Sequence, residues 1–129
     1  MKVVLLLGSE KDSAYADKIV EALNVVHIKT EQHIASAHKE AGKLLKILKK
    51  YESESVIYVT IAGRSNALSG FVAGNTGKVT IACPPFADKL DMLVNIQSTL
   101  QMPSNVPVMT VLEPGNVALA IKRITELAI

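Results

Sequence analysis

Three short polar turns carry the residues able to do chemistry in this chain of 129 residues: Gly8-Ser9-Glu10-Lys11-Asp12, Ser36-Ala37-His38-Lys39 and Ala62-Gly63-Arg64-Ser65-Asn66. Each follows an apolar run that reads as a strand and precedes a stretch with helical periodicity. A helix N-terminus offers unpaired backbone N–H groups and a partial positive charge, which suits a phosphate. Lys11, Lys39 and Arg64 add full positive charges, and the hydroxyls of Ser9, Ser36 and Ser65 add donors. The Asp12 carboxylate is suited to accept from a sugar hydroxyl, so the natural guess for a ligand is a phosphorylated sugar. His38 is the only imidazole in these turns, and an imidazole titrates close to neutrality, which makes it the acid/base candidate. Taken singly, a Ser or Asp at a helix start is a cap and a glycine is a turn. Three such turns brought together are a site.

The elements that must bring them together alternate regularly. Val3 to Leu7 is a continuous apolar run, as expected of a strand buried on both faces, and Gly8-Ser9 stops it. From Asp12 the period changes, with Ala16, Ile19, Val20 and Leu23 on one stripe; Val25 to Ile34 then reads as β. His38 to Tyr51 reads as a helix with Ala41, Leu44, Leu45, Leu48 and Tyr51 inward. Its lysines at 39, 43, 46, 49 and 50 read as a solvated face, not a polybasic signal. Val56 to Ile61 is a third strand, and Ser65 is placed to cap a helix bearing Leu68, Phe71 and Val72. Lys78 to Ala82 is a short strand ended by Cys83-Pro84-Pro85, whose prolines cannot continue a ladder. Leu90, Leu93, Val94, Gln97 and Leu100 recur at helical spacing, and Val106 to Leu112 is a fifth strand. Pro114 opens a last helix with Val117, Ile121, Ile124 and Ala128 inward. Five strands alternating with helices predict one α/β domain over residues 1–129. The expected architecture is a flavodoxin-like three-layer α/β/α sandwich on a five-stranded parallel sheet of order 2-1-3-4-5. In that order strands 1, 2 and 3 are neighbours, and their three turns share one crevice.

Composition excludes several classes. Apolar residues make up 49 % and charged residues 20 %, the balance of a globular domain. The 14 basic and 12 acidic residues leave a net charge of +2 with no basic stripe, which argues against nucleic acid as a partner. The apolar start is too short for a membrane span. One cysteine gives no disulfide framework and fits the cytoplasm. The histidine spacing matches no zinc site, and neither a Walker A motif, a dinucleotide fingerprint nor a Gly-x-Ser-x-Gly elbow occurs. His27 and His33 read as scaffold or surface within strand 2, and Cys83 as packing.

Taken together the turns resemble the 5-aminoimidazole ribonucleotide (AIR) carboxylases of purine biosynthesis. Gly8-Ser9-x-x-Asp12 is similar to the family's first phosphate and ribose turn, and Ser36-Ala37-His38 to its second. Ala62-Gly63-Arg64-Ser65-Asn66-Ala67-Leu68, Gly74-Asn75 and Cys83-Pro84-Pro85 resemble the class II pattern, the type that uses CO2 and is fused in animals to the next enzyme of the pathway. Gln101-Met102-Pro103-Ser104-x-Val106-Pro107-Val108-x-Thr110-Val111 is again similar, so the resemblance runs the length of the chain in order. Class I mutases carry a glycine-rich stretch with a histidine in place of Arg64-Ser65-Asn66, and an arginine in place of Lys39.

The resemblance implies an ATP-independent lyase acting on AIR and CO2, with no metal, biotin or other cofactor. It assigns Ser9 and Asp12 to the phosphate and ribose, Ser36 and Lys39 to the phosphate side, and Gly63 and Ser65 to the imidazole or CO2. His38 becomes the proton shuttle, with Lys11, Arg64 and Asn66 as additional candidates. Lys11 stands where most relatives have a second serine. Relatives usually continue for another helix and form octamers, so the expectation here is a homo-oligomer, of that size or smaller. Three other readings stay open at this point: a class I N5-carboxyaminoimidazole ribonucleotide mutase, a carboxylase of another aromatic ribonucleotide, and a non-catalytic nucleotide-binding relative.

Overall fold

A computed structural model describes residues 1–127 of the chain. The strands are β1 (Lys2–Leu7), β2 (Lys29–Ile34), β3 (Val56–Ile61), β4 (Thr80–Ala82) and β5 (Met109–Thr110). All pair in parallel, in the order β2-β1-β3-β4-β5. The helices are α1 (Ser13–Val25), α2 (Ala41–Lys50), α3 (Leu68–Gly74), α4 (Lys89–Leu100) and α5 (Pro114–Glu126), with a short 3-10 turn at Glu10–Asp12 ahead of α1.

Strand β1 lies inside the sheet, between β2 and β3, because it has no polar face to show to water. Val3, Leu5 and Leu7 pack on one side with Ala16, Ile19 and Leu23 of α1 and Val117, Ala118 and Ile121 of α5. Val4 and Leu6 pack on the other with Leu44, Ile47 and Leu48 of α2, Tyr51, and Leu68 and Val72 of α3. Helices therefore cover both faces of the sheet, and the expected three layers and strand order are present. Leu7 lies level with Ile34 of β2 and with Ile61 of β3, so the three strands end together. Backbone bonds continue the ladder past those ends, from Ala35 N–H to the Leu7 carbonyl at 2.9 Å and from Gly8 N–H to the Ile61 carbonyl at 3.0 Å. The three turns thus leave the sheet side by side.

Several boundaries move. Helix α1 continues to Val25, and His27 lies in the turn behind it with a left-handed backbone, φ 60°, so it is exposed surface and not part of a strand. Helix α2 starts at Ala41, because residues 37–39 form a turn, and Ile47 takes the inward place expected of Leu45, which is 45 % exposed. The five lysines are exposed as expected. Strand β5 shrinks to Met109–Thr110, since Pro107 has no N–H to give to a ladder. Val117 and Ile121 are buried and Ile124 packs against the core; Ala128 lies outside the described residues.

Helix α4 is attached differently from the others. Leu90, Leu93, Val94 and Leu100 are 73, 51, 51 and 60 % exposed, whereas its buried residues are Asn95 and Thr99. The Asn95 amide donates to the Pro85 carbonyl at 2.7 Å, and the Thr99 hydroxyl meets that of Ser69 on α3 at 2.9 Å. Two polar side chains fasten this helix.

Candidate active site

The ends of β1, β2 and β3 enclose a cleft of about 430 Å³. From the first turn it is lined by Gly8, Ser9, Lys11 and Asp12, from the second by Ser36, Ala37 and His38, and from the third by Ala62, Gly63, Arg64 and Ser65. Three other surface hollows in the molecule are larger, but none of them is lined by a histidine.

In the first turn Ser9 has extended backbone and its Oγ accepts from the Lys11 N–H at 3.2 Å, capping the 3-10 turn. The hydroxyl hydrogen of Ser9 stays free to donate outward. Gly8 must be small: a Cβ there would stand 3.2 Å from the Cβ of Ala62, so the glycine lets the first and third turns lie against each other. The same Cβ would be 3.8 Å from Asp12 Oδ2, which places the carboxylate over the Gly8 backbone. Burial pushes the Asp12 carboxyl above its ordinary range, and a hydrogen bond from the Ser9 backbone offsets only part of this.

The second turn is closed by its own atoms. Ser36 Oγ accepts from the Lys39 N–H at 3.2 Å, the Ser36 carbonyl accepts from the Glu40 N–H at 2.8 Å, and the Ser36 N–H donates to Glu40 Oε1 at 3.3 Å. Glu40 was not singled out in the sequence; an acid four residues after the serine is its only signal. Lys39 is exposed at the edge of this turn and is not among the cleft-lining residues. His38 lines the cleft, and its Nε2 lies 2.9 Å from the main-chain carbonyl of Ser65, joining the second turn to the third.

The third turn departs from the expected cap. Ser65 has a left-handed backbone, φ 50°, and α3 begins at Leu68 behind Ala67 with no side-chain cap. Arg64 is 81 % exposed and reaches toward Asp91 of α4, Nη2 to Oδ1 3.7 Å. Asn66 turns inward, 2 % exposed, and neither atom of its amide has a partner among the described residues. Behind this turn lies Asn95, whose Nδ2 is 3.9 Å from where a Gly63 Cβ would sit. Sequence reasoning missed Asn95, because it hides on a helix whose apolar spacing points outward. Of the expected site residues, Ser9, Lys11, Asp12, Ser36, His38, Gly63, Arg64 and Ser65 are brought together, while Lys39 stands at the rim and Asn66 behind the wall.

The AIR carboxylase family model matches residues 2–128. This chain belongs to the AIR carboxylase family. It is 50 % identical over 127 residues to the phosphoribosylaminoimidazole carboxylase of Archaeoglobus fulgidus, covering 98 % of this chain and 70 % of that one. It is 46 % identical over 127 residues to the enzyme of the same name from Treponema denticola, covering 97 % of this chain and 79 % of that one. The crystal structure of Treponema denticola PurE superposes with a TM-score of 0.90 at 45 % identity, over 97 % of this chain and 80 % of that one. The AIR carboxylase fold is therefore the five-stranded sandwich described above. Among the described residues no helix is long and apolar enough to cross a membrane, and no three His, Cys, Asp or Glu side chains group to hold a metal ion.

Proposed function

We propose that this enzyme carboxylates AIR directly with CO2, and that His38 moves the ring proton. The observation that carries the reading is the cleft itself: three polar turns meet there, and of the three histidines only His38 lines it. Carbon 4 of the aminoimidazole is enamine-like and already nucleophilic. Its electron pair forms the new bond to the carbon of CO2 while one C–O pair moves onto oxygen. The C4–H pair then returns to the ring, restoring aromaticity, as the proton passes to His38. Holding CO2 over carbon 4 supplies much of the rate, and one imidazole suffices for the proton.

The substrate phosphate and ribose fall to Ser9, Asp12, Ser36 and Lys39, with Lys11 and Arg64 adding charge at the mouth. Both serine oxygens accept from their own turns, so their hydroxyl hydrogens are left for the phosphate. Gly63 and Ser65 face the imidazole or CO2. The enzyme works as an assembly of identical chains, in the cytoplasm. The outward face of α4, with Leu90, Leu93, Val94 and Leu100, supports a second copy as its cover. Cys83 is a buried free thiol, in keeping with a reducing compartment.

His38→Asn keeps the size and a hydrogen bond but relays no proton. It is expected to bind AIR nearly normally and lose at least ~100-fold in turnover. Near-normal turnover would overturn the assignment. Offering AIR with bicarbonate, and separately the N-carboxylated isomer, tests the direct reaction by which of the two is consumed.

A further inference from the structure

We propose that Ser65 is a positioning residue: its main-chain carbonyl fixes His38 in the Nε2–H tautomer, which makes Nδ1 the atom that exchanges the proton with carbon 4. This rests on the reading of His38 as the proton carrier and deepens it.

A carbonyl oxygen only accepts, so the 2.9 Å contact between Ser65 O and His38 Nε2 requires the hydrogen to sit on Nε2. In the neutral ring the lone pair is then on Nδ1, which has no protein partner among the described residues. The carbonyl is itself held from the other side, for the Ala67 N–H donates to it at 2.7 Å. Both of its lone pairs are engaged, and its direction is set by the chain rather than by the histidine. That direction depends on the left-handed backbone of Ser65, φ 50°, a conformation rare for residues other than glycine. Arg64 and Asn66, on either side, are drawn away from the cleft floor, the one toward Asp91 and the other into the protein. The turn thus presents the Ser65 carbonyl to the imidazole. In carboxylation the proton leaves carbon 4 for Nδ1, the C–H pair stays with the ring, and the imidazolium keeps its Nε2–H bond to Ser65, a bond that strengthens as the ring becomes charged.

Nitrogen-detected NMR of protein labelled in its histidines tests the tautomer directly, with His38 assigned by the loss of its signals in His38→Asn. The neutral His38 of the unsubstituted enzyme is expected to show a protonated Nε2 and a bare Nδ1; the reverse pattern overturns the proposal. A pair of variants then tests Ser65. Ser65→Gly and Ser65→Val both lack the hydroxyl, but only glycine accepts the left-handed backbone readily. Ser65→Gly should keep the tautomer, whereas Ser65→Val should give mixed tautomers and a kcat at least ~10-fold below that of Ser65→Gly, since a mis-set tautomer disables a catalytic histidine. Equal kcat and an unchanged spectrum in the two variants would refute the role of Ser65. The spectrum of the unsubstituted enzyme decides the tautomer even where Ser65→Val does not fold. Failure of the proton-carrier reading looks different: His38→Asn would then turn over normally, whatever the tautomer.

Discussion

The hydroxyl pair Ser69–Thr99 gives a sharp test of how α4 is held. Ser69 is fully buried and Thr99 is 2 % exposed, their oxygens are 2.9 Å apart, and neither makes another side-chain hydrogen bond. Removing one hydroxyl leaves the other desolvated and unpaired, which costs about 1–3 kcal/mol; removing both leaves nothing to satisfy and is nearly neutral. Thr99→Val keeps shape and Ser69→Ala removes a single atom, so cavity terms are small. Each single change is expected to destabilise by ~1–2 kcal/mol, and the double variant by no more than ~1 kcal/mol, a coupling of at least ~1 kcal/mol. For a domain of this size that corresponds to roughly 3–10 °C in Tm for each single variant, with most of it recovered in the double. Urea unfolding of all four proteins at one protein concentration provides the measurement. Additive losses would show that the two hydroxyls find other partners, and the polar attachment of α4 would be wrong.

Three further outcomes are expected. The Asp12 carboxyl titrates above its unfolded value, so the native state binds the extra proton and stability from this group falls as pH rises through that window; Asp12→Asn should raise Tm at neutral pH, lose that advantage in acid and weaken AIR binding, and an unchanged Tm at both pH values would contradict it. Glu31 accepts from Lys2 at 2.7 Å and from the Tyr51 hydroxyl at 2.6 Å, and the Lys2 bond above all pulls its carboxyl down to about 2; the stability it lends is present above pH ~4.5 and lost as pH falls toward 2, so Glu31→Gln should lower Tm at neutral pH and converge with the parent in acid. Ser36→Ala and Lys39→Ala should both weaken AIR binding, with the loss for Lys39 shrinking as salt is raised; calorimetry showing parental affinity in both would remove the phosphate from this turn.

The middle of the sheet was legible because two of its strands have little second reading. Val3 to Leu7 is apolar throughout and Val56 to Ile61 is nearly so, with a buried Thr60, a pattern a doubly covered strand uses, and the turns between elements bear the polar residues that converge on the cleft. What the sequence hid was conformation without a compositional mark. Ser65 reads as a helix cap by residue type, yet it adopts a backbone usually announced by glycine or asparagine. Asn105 shows that normal signal, with φ 70°. Helix α4 was legible as a helix but not in its orientation, because the residues it buries, Asn95 and Thr99, are polar and its leucines face outward. Hydrophobic spacing finds the apolar face of a helix, and that face need not belong to the chain's own core.

The plan of the sheet also separates in time what it joins in space. Every residue lining the cleft falls between Gly8 and Leu68, ahead of β4, α4, β5 and α5 in the order of synthesis. The side of β1 that bears Val3, Leu5 and Leu7, directly beneath those turns, is completed by Val117, Ala118 and Ile121 of α5, which is made later. A nascent chain that has not yet reached α5 therefore carries all its cleft-lining turns above an apolar, half-covered floor. During that interval the uncovered apolar side of β1 is the part of the molecule open to aggregation.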